Sequence, residues 1–395
     1  MAGISVLAAA YVLSQFYRSF LAVLTPVLGA ELGATKADLA LASGAWFLAF
    51  ALMQFAVGVA LDRYGPRMTA AVLLLAGGAG GAALFAVATT PAMIIVAMAL
   101  IGIGCSPVLM ASFYIFAHGY DAARFATLSS MFIAVGLAGN VLGASPLASA
   151  AEAFGWRAVL AGLAAVTGLC ALAILALVRN PEIEKHEEKD SGFAGFVEII
   201  RQPVLWPILP LMLVAYSVVA GLRGLWAGPY LADVFGADTI AIGKATLWMA
   251  VAMIAGTTVY GPLDRRFNTR KWVSVAGMGV VLVALAALAL APGASFLGGA
   301  ALFVVIGLFG TNYSVLMAHT RAFFPPHLVG RGVTLMNFFS IGGTGLMQWV
   351  TGRIMAGTEA GDAGAYSGLF AFYAVVLGAA VAVYLFSRDA KPNPS

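Results

Sequence analysis

Long apolar runs alternate with short polar interruptions from one end of this chain to the other. Each run has about 20 residues or more, enough to cross about 30 Å of hydrocarbon as a helix. Twelve membrane-spanning helices are predicted, at roughly 5–30, 38–61, 68–89, 91–117, 125–150, 156–178, 204–231, 239–263, 272–291, 295–320, 330–354 and 366–387. The runs are too long and too uniformly apolar for the alternating strands of a membrane barrel. The predicted fold class is therefore an all-α membrane protein.

Composition agrees with this prediction. Of the 395 residues, 62% are hydrophobic and 10% are charged, whereas a soluble domain carries about 25% charged residues. The two cysteines, Cys105 and Cys170, lie inside apolar runs, so we predict neither a disulfide framework nor a cysteine-based zinc site. The N-terminus has no basic region, and its first apolar run is full length. We therefore predict no cleavable signal peptide and expect the first run to remain as a helix.

The only long hydrophilic segment, PEIEKHEEK at 181–189, divides six predicted spans from six. We predict an N-terminal six-helix bundle at 1–180, a cytoplasmic linker at 181–202 and a C-terminal six-helix bundle at 203–395. If the N-terminus is cytoplasmic, the inner loops hold fifteen Lys and Arg residues and the outer loops hold four. This bias predicts that both termini are cytoplasmic, and it explains the net charge of +4 without nucleic-acid binding.

The two halves resemble each other weakly at a nearly constant offset. VLMA at 108–111 recurs at 315–318, an offset of 207 residues, and LDR at 61–63 recurs at 263–265, an offset of 202. Arg18 and Arg223 stand 205 residues apart. Such similarity predicts two bundles related by a pseudo-two-fold axis along the membrane normal.

The segment GVALDRYGPR at 58–67 lies between the second and third predicted spans and joins charged residues to turn-forming residues. It resembles the major facilitator superfamily signature G-x-L-x-D-R-x-G-R-R. A degraded copy in the second half, GPLDRRFNTRK at 261–271, lacks the later glycine. The resemblance implies the superfamily's two-bundle fold, secondary transport by alternating access, and a cytoplasmic gate formed by the matching residues Gly58, Asp62, Arg63, Gly65, Arg67, Asp264 and Arg265.

Arg18 lies near the middle of the first predicted span, and Arg223 lies deep in the seventh. A guanidinium near the bilayer centre costs at least about 2.5–3.5 kcal/mol on insertion scales and does not deprotonate. The predicted spans contain no Asp or Glu away from their ends, so the predicted counter-ion is a bound anion. In the superfamily these two helices line the central cavity, and the placement is similar to that in organophosphate:phosphate antiporters. The alternative is that each arginine pairs with protein groups as structural glue.

Other polar side chains within the apolar spans need partners, and we predict that some of them line a wet cavity. The candidates are Gln15, Tyr17, Tyr114, Asn140, Tyr216, Trp226, Tyr230, Asn312, Tyr313, Asn337 and Gln348. The lack of a mid-span carboxylate, the usual proton carrier, favours exchange or facilitated transport. His118 and His319 fall near span ends and are assigned to the membrane interface.

The predicted function is transport of a small anion, an organic acid or a phosphate ester, across a bacterial inner membrane. We expect a monomer in the lipid bilayer without a cofactor. The chain is not predicted to be an enzyme, because it has neither a Walker-type loop nor an H-E-x-x-H motif. One alternative is a copper importer that uses Met249 and Met253, spaced M-x-x-x-M. The others are a drug or metabolite exporter and a non-transporting receptor.

The fifth predicted span bears on the exporter alternative. Its segment GLAGNVLGASP at 136–146 is similar to the glycine-rich motif of drug and proton antiporters. Asn140 stands where their Gly-Pro pair has its proline. This departure weakens the exporter interpretation, and close helix packing is the favoured role for the glycines.

Overall fold

A computed structural model describes residues 2–119, 128, 131–181, 194–325, 328–358 and 361–392. Within these ranges the regular structure is helical and contains no strand. The helices are α1 Ala2–Tyr17, α2 Leu21–Leu32, α3 Lys36–Leu73, α4 Gly80–Ala86, α5 Pro91–Gly119, α6 Met131–Leu142, α7 Ser145–Phe154, α8 Trp156–Leu177, α9 Ala194–Ile200, α10 Leu209–Gly221, α11 Ala227–Phe235, α12 Thr239–Arg266, α13 Lys271–Leu290, α14 Phe296–Phe309, α15 Tyr313–Arg321, α16 Val329–Ile354 and α17 Ala363–Tyr384. π-helical segments at Leu74–Ala79 and Leu222–Trp226 join α3 to α4 and α10 to α11.

The described helices account for the predicted spans. Nine are long and apolar enough to cross a membrane, and two bent pairs raise the number to eleven. The bent pairs are α1 with α2, at 52°, and α6 with α7, at 42°. Helix α16 coincides with the predicted eleventh span and carries Asn, Gln, Ser and Thr among its 26 residues. The prediction of an all-α, multi-span membrane protein is confirmed, and these helices are consistent with twelve spans.

The chain separates into two compact units. The first contains Met1–His186 with Asp238–Leu247, and the second contains Glu187–Ala237 with Trp248–Ser395. An apolar core in the first unit includes Leu7, Val57, Leu74, Phe116 and Ile174. In the second unit the Tyr230 ring packs edge-on against the rings of Phe235, Phe303, Tyr366 and Phe370, at centroid distances of 5.1–5.6 Å. Each unit therefore has its own packed interior.

Glycines set how closely the helices approach one another. A Cβ atom added at Gly104 of α5 would overlap the backbone of Gly77 and Gly78, which lie in the first π-helical segment. A Cβ atom at Gly343 of α16 would likewise overlap the carbonyl oxygen of Leu213 in α10. Helices in lipid gain little from the hydrophobic effect against each other, so close backbone packing is a main source of their association.

The glycine-rich fifth span packs in the same way. A Cβ atom at Gly139 would overlap the carbonyl oxygen of Val12 in α1, and one at Gly143 would lie 2.9 Å from Ser19 Oγ. These contacts fit the packing role favoured for the glycines of this span.

We expect Gly104→Ala to destabilise the protein by about 1–3 kcal/mol, because its methyl group would meet backbone atoms that cannot move independently. The measurement is the thermal unfolding midpoint in detergent, followed by intrinsic fluorescence. Gly162→Ala is the matched control, since a Cβ atom there has no neighbouring atom within 4 Å. Equal midpoints for the two variants would contradict the packing role of Gly104.

Candidate functional site

Arg18 lies at the break in the first span. The backbone N–H groups of Arg18 and Ser19 donate to the carbonyl oxygens three residues earlier, of Gln15 and Phe16, and this tightens the chain between α1 and α2. The guanidinium carbon lies 5.3 Å from the ring centroid of Trp46 and 4.9 Å from that of Phe50. Cation–π contacts of this kind contribute about 0.5–2 kcal/mol. Two aromatic rings of α3 therefore help to position a half-buried cation in an apolar span.

The polar residues next to Arg18 are fixed within the first unit. Tyr17 is fully buried, and its hydroxyl shares a 3.0 Å hydrogen bond with Thr167 Oγ1 of α8. Gln15 Nε2 donates to the hydroxyl of Tyr11 at 2.7 Å. The Tyr17–Thr167 bond holds the end of α1 against α8, whereas the Gln15–Tyr11 bond stays within α1. Tyr17 therefore supports the position of the neighbouring Arg18.

Arg223, 205 residues after Arg18, lies in the second unit within the π-helical segment Leu222–Trp226. Arg223 is only 4% exposed. The backbone N–H of Ala227 donates to the carbonyl of Leu222, five residues earlier, which widens the helix at this point. Such single-turn π-helical segments are frequent at functional sites. Both units therefore place an arginine where the regular α-helix is interrupted.

A polar face of α16 packs beside this segment. Thr351 Oγ1 accepts a 3.0 Å hydrogen bond from Trp226 Nε1, and Thr344 Oγ1 lies 3.3 Å from Ser217 Oγ of α10. Gln348 lies one turn from each threonine and is fully buried. Neither polar atom of its amide has a hydrogen-bond partner among the described residues. Thr344 and Thr351 were not among the sequence candidates, although their helical spacing around Gln348 marks one face of α16.

The remaining candidates fall in different places. The Tyr313 hydroxyl donates to Asn337 Oδ1 at 3.1 Å and so joins α15 to α16. Asn312 is fully buried, and its amide atoms have no hydrogen-bond partner within the described ranges. Tyr230 donates to the carbonyl oxygen of Pro292 at 2.6 Å, which commits its hydroxyl to the loop before α14.

Two further candidates lie in the first unit. Asn140 is buried in α6, and Tyr114 packs half-buried beside the apolar core. Among the candidates of the second unit, Trp226 is hydrogen-bonded to Thr351 and Tyr313 to Asn337. The Tyr230 hydroxyl is bonded instead to the Pro292 carbonyl oxygen.

The signature segment contains a sharp break inside α3. Gly65 has φ 77° and ψ 167°, a backbone conformation open essentially to glycine alone. The backbone N–H of Arg67 donates to Asn180 Oδ1 at 3.0 Å, so Asn180 caps the start of the third span. The side chains of Arg63 and Arg67 are exposed. Gly58 is helical, and the side chain of Asp62 lies outside the described part.

The second unit builds a similar turn from different residues. Asp264 is buried and accepts from Arg270 Nε at 3.3 Å, whereas Arg265 is exposed. Asn268, with φ 50°, adopts the left-handed conformation near the position of the missing glycine, which asparagine tolerates better than most residues. Asp389 accepts from the backbone N–H groups of Arg270 and Lys271, at 3.2 and 3.0 Å. A residue that follows the last helix of each unit therefore caps the start of that unit's third span.

The charge on Asp389 is stabilised by these contacts. Burial acts to raise the pKa of this carboxyl, but a 2.5 Å hydrogen bond from Thr269 and those from the two amides act against it. Together with the nearby His319 ring, they hold the pKa of Asp389 below its ordinary value. His319 itself is fully buried between the Tyr384 hydroxyl, at 2.7 Å, and the Arg388 carbonyl, at 2.9 Å. The side chain of His118 lies outside the described residues.

The methionine pair of the copper alternative lies in the apolar interior of the second unit. Met249 and Met253 are buried, and both side chains pack against Gly307 of α14. Over the residues that the structure describes, no group of three or more His, Cys, Asp or Glu residues could hold a metal ion. Cys105 and Cys170 are buried and free. These contacts are those of packing residues.

Comparison with family models matches residues 7–227, more than half of the chain, to the Major Facilitator Superfamily. Several solved transporters have a similar structure. A bacterial homologue of the human lysosomal transporter Spinster, inward-facing and occupied, is 20% identical with a TM-score of 0.77, covering 97% of this chain and 96% of that one. The nucleoside transporter NupG is 16% identical, with a TM-score of 0.73 over 98% and 100% of the two chains.

The xylose transporter XylE from E. coli, in its inward open conformation, is 14% identical with a TM-score of 0.73, over 99% of this chain and 97% of that one. At such low identities these likenesses establish the fold alone. Comparison with curated protein sequences gives no match.

We expect Gly65→Ala to destabilise the protein by about 1–3 kcal/mol, because alanine is strained in this conformation. Its Cβ atom would also lie 2.5–2.7 Å from the Asn180 amide atoms. Thermal unfolding midpoints test this, with Gly58→Ala as the control. That position lies in the same signature, is helical and has open space, so alanine there should be neutral or stabilise by up to about 1 kcal/mol. A Gly65→Ala midpoint equal to that of Gly58→Ala would refute the strain.

Asp389→Asn should lower the unfolding midpoint at neutral pH, because an amide cannot replace both carboxylate oxygens. A carboxyl whose folded pKa is depressed stabilises the fold above its unfolded pKa of about 3.9. That stabilisation is lost as the pH falls through the folded pKa. The midpoint difference from the wild type should therefore be largest near about pH 7 and shrink toward about pH 3. The exposed carboxylate variant Glu152→Gln serves as control, and a difference independent of pH would contradict the charge-based role.

Proposed function

Because the chain belongs to the major facilitator superfamily, we propose that it is a secondary transporter that moves a small anion across the membrane by alternating access. The proposed substrate class is an organic acid or a phosphate ester. The proposed location is a bacterial inner membrane, with both termini in the cytoplasm, as the fifteen-to-four distribution of basic residues suggests. The transporter needs no cofactor in this proposal.

One observation carries the choice of an anion. Arg18 and Arg223, 205 residues apart in two halves of similar sequence, both lie where an apolar span departs from the regular α-helix. Retaining a guanidinium in such a span costs at least about 2.5–3.5 kcal/mol. A permanent cation at equivalent points of both halves is best explained by a negatively charged substrate. The planar guanidinium fork matches the oxygens of a carboxylate or phosphate.

Residues near the two arginines have two proposed roles, to position the cations and to contact the substrate. Trp46 and Phe50 limit the positions open to Arg18 through their ring contacts. Gln348 is fully buried in the polar face of α16, and we propose that its amide recognises a polar group of the substrate. The other proposed substrate contacts are Tyr17, Tyr114, Asn140, Trp226, Tyr230, Asn312, Tyr313 and Asn337.

The signature residues are the proposed gate. The break at Gly65 and the Asn180 cap fix the turn, while Arg63 and Arg67 present exposed charges beside it. Gly58 and Asp62 in the first half, and Asp264 and Arg265 in the second, complete the proposed gate. A rigid turn that carries exposed charges suits a contact that forms in one state of the transport cycle and breaks in another.

A substrate screen tests the proposal. Purified protein is assayed by thermal shift against dicarboxylates, phosphate monoesters, neutral sugars and nucleosides. We expect anions to raise the unfolding midpoint, and Arg18→Gln and Arg223→Gln to weaken binding of the best anion by about tenfold or more, as expected for loss of a charge-assisted hydrogen bond. Uptake into proteoliposomes by the same variants should fall in parallel. Arg353→Gln, which removes an exposed arginine, is the control.

The same variants separate substrate binding from a structural role. If the buried Arg223 serves the substrate, its removal should leave the substrate-free midpoint unchanged or raised, because its desolvation penalty disappears. If the arginines are structural glue, the midpoint falls and the affinity of the remaining folded protein stays the same. Stabilisation by a neutral ligand alone, unaffected by either substitution, would also reject the anion proposal.

A further inference from the structure

A polar cavity of about 520 Å³ lies within the second unit, and none of the substrate contacts proposed above lines it. Its walls come from Arg270 before α13, from Ala322 and Phe323 after α15, and from the segment Arg388–Lys391 after α17. We propose that this cavity binds the phosphate group of an anionic ligand through Arg270, Arg388 and Lys391. This site is separate from the proposed binding site of the transported substrate.

The backbone of this wall is held by contacts that do not use the side chains of Arg388 or Lys391. Lys271 Nζ donates to the carbonyl oxygens of Leu385 and Ser387, at 2.6 and 2.9 Å. The carbonyl of Arg388 lies 2.9 Å from His319 Nε2. Asp389 is bound at the start of α13, as described above. The backbone of the segment after α17 is therefore held in place, while its two basic side chains, Arg388 and Lys391, are exposed.

The charge of the lining determines the sign of the ligand. Three cations line the cavity, at Arg270, Arg388 and Lys391, against one carboxylate, at Asp389. That carboxylate already accepts from Thr269 and from two backbone amides. Asp264, the other carboxylate in contact with Arg270, is outside the lining and binds Nε. The lining thus presents an excess of positively charged donors, which calls for an anion rich in acceptor oxygens.

Phosphate fits this set of donors better than a single carboxylate. A guanidinium binds two oxygens of one phosphate side by side, and a lysine ammonium supplies a further point charge. The apolar part of the lining, at Phe323, Ala322 and Ala390, leaves room for a substituent on the phosphate. The ligand class is therefore a phosphate monoester or diester.

The flanking residues point to the membrane boundary. Phe386, next to the wall segment, is 84% exposed, and Trp272, next to Lys271, is 56% exposed. An exposed tryptophan at the end of a span, such as Trp272, is typical of the lipid headgroup region. Basic pockets at this depth bind anionic headgroups. The phosphate can belong to a lipid headgroup or to a soluble molecule, and the experiment distinguishes these sources.

The test uses the full-length protein, delipidated in neutral detergent, with phosphatidylglycerol, phosphatidylcholine and inorganic phosphate as separate probes. Binding is measured by native mass spectrometry and by thermal shift. The double variant Arg388→Gln with Lys391→Gln should weaken phosphatidylglycerol binding by about tenfold or more, because it removes two of the three cations that line the cavity. The matched control, Arg201→Gln with Arg266→Gln, removes two exposed charges outside the cavity lining and should retain binding.

The outcomes separate the sources and the alternatives. Binding of phosphatidylglycerol without an effect of inorganic phosphate assigns the site to a lipid headgroup, and stabilisation by inorganic phosphate that the double variant abolishes assigns it to a soluble phosphate. If phosphatidylglycerol binding weakens equally in both double variants, the effect is one of overall charge and the proposed site is wrong. Unchanged binding in both double variants would also overturn the proposed site. Arg223→Gln should leave phosphatidylglycerol binding intact, so failure of the anion-transport proposal does not affect this test.

Discussion

A peptide group in hydrocarbon has no water to bond, so a membrane-spanning chain must satisfy its backbone within its own helices. This protein departs from the regular α-helix inside its spans at defined points, among them 18–20, Leu74–Ala79 and Leu222–Trp226. Two of these three points carry the mid-span arginines. Where the regular ladder is interrupted, polar backbone groups and a charged side chain share one region of the protein interior. The two arginines that we propose bind the substrate, Arg18 and Arg223, thus lie where the helical backbone is interrupted.

The second consequence of the lipid environment is close helix contact. Apolar side chains gain little by exchanging lipid for another helix, so association depends on packing and on backbone approach. Gly104 lies against Gly77 and Gly78 in the first π-helical segment, and Gly343 lies against Leu213. The last contact joins α10 and α16, the helices that carry Ser217, Thr344 and Gln348. Small residues therefore bring polar side chains of neighbouring helices within hydrogen-bonding distance.

The two units solve the same geometric problem with different charges. In the first, Gly65 makes the turn and the neutral Asn180 caps the third span. In the second, Asn268 makes a left-handed turn and the carboxylate of Asp389 is the cap. The cap thus stands at the same point in both units, and in the second unit it belongs to an ionic network that includes Arg270. Arg270 and Asp389 of that network also line the basic cavity.

The sequence by itself determined the membrane class, the approximate spans, the repeat and the signature turn, because hydropathy over about 20 residues and turn chemistry are local properties of the chain. It also singled out Arg18 and Arg223, since a charge within an apolar run is visible without a fold. Only the tertiary structure decided the partners: Asn180 at the signature, Thr351 at Trp226, and Pro292 at the Tyr230 hydroxyl. Each partner is between 62 and 125 residues away along the chain. An apolar run shows how deep a residue lies but not which neighbour its side chain meets, because helix rotation and bending are set by packing between helices.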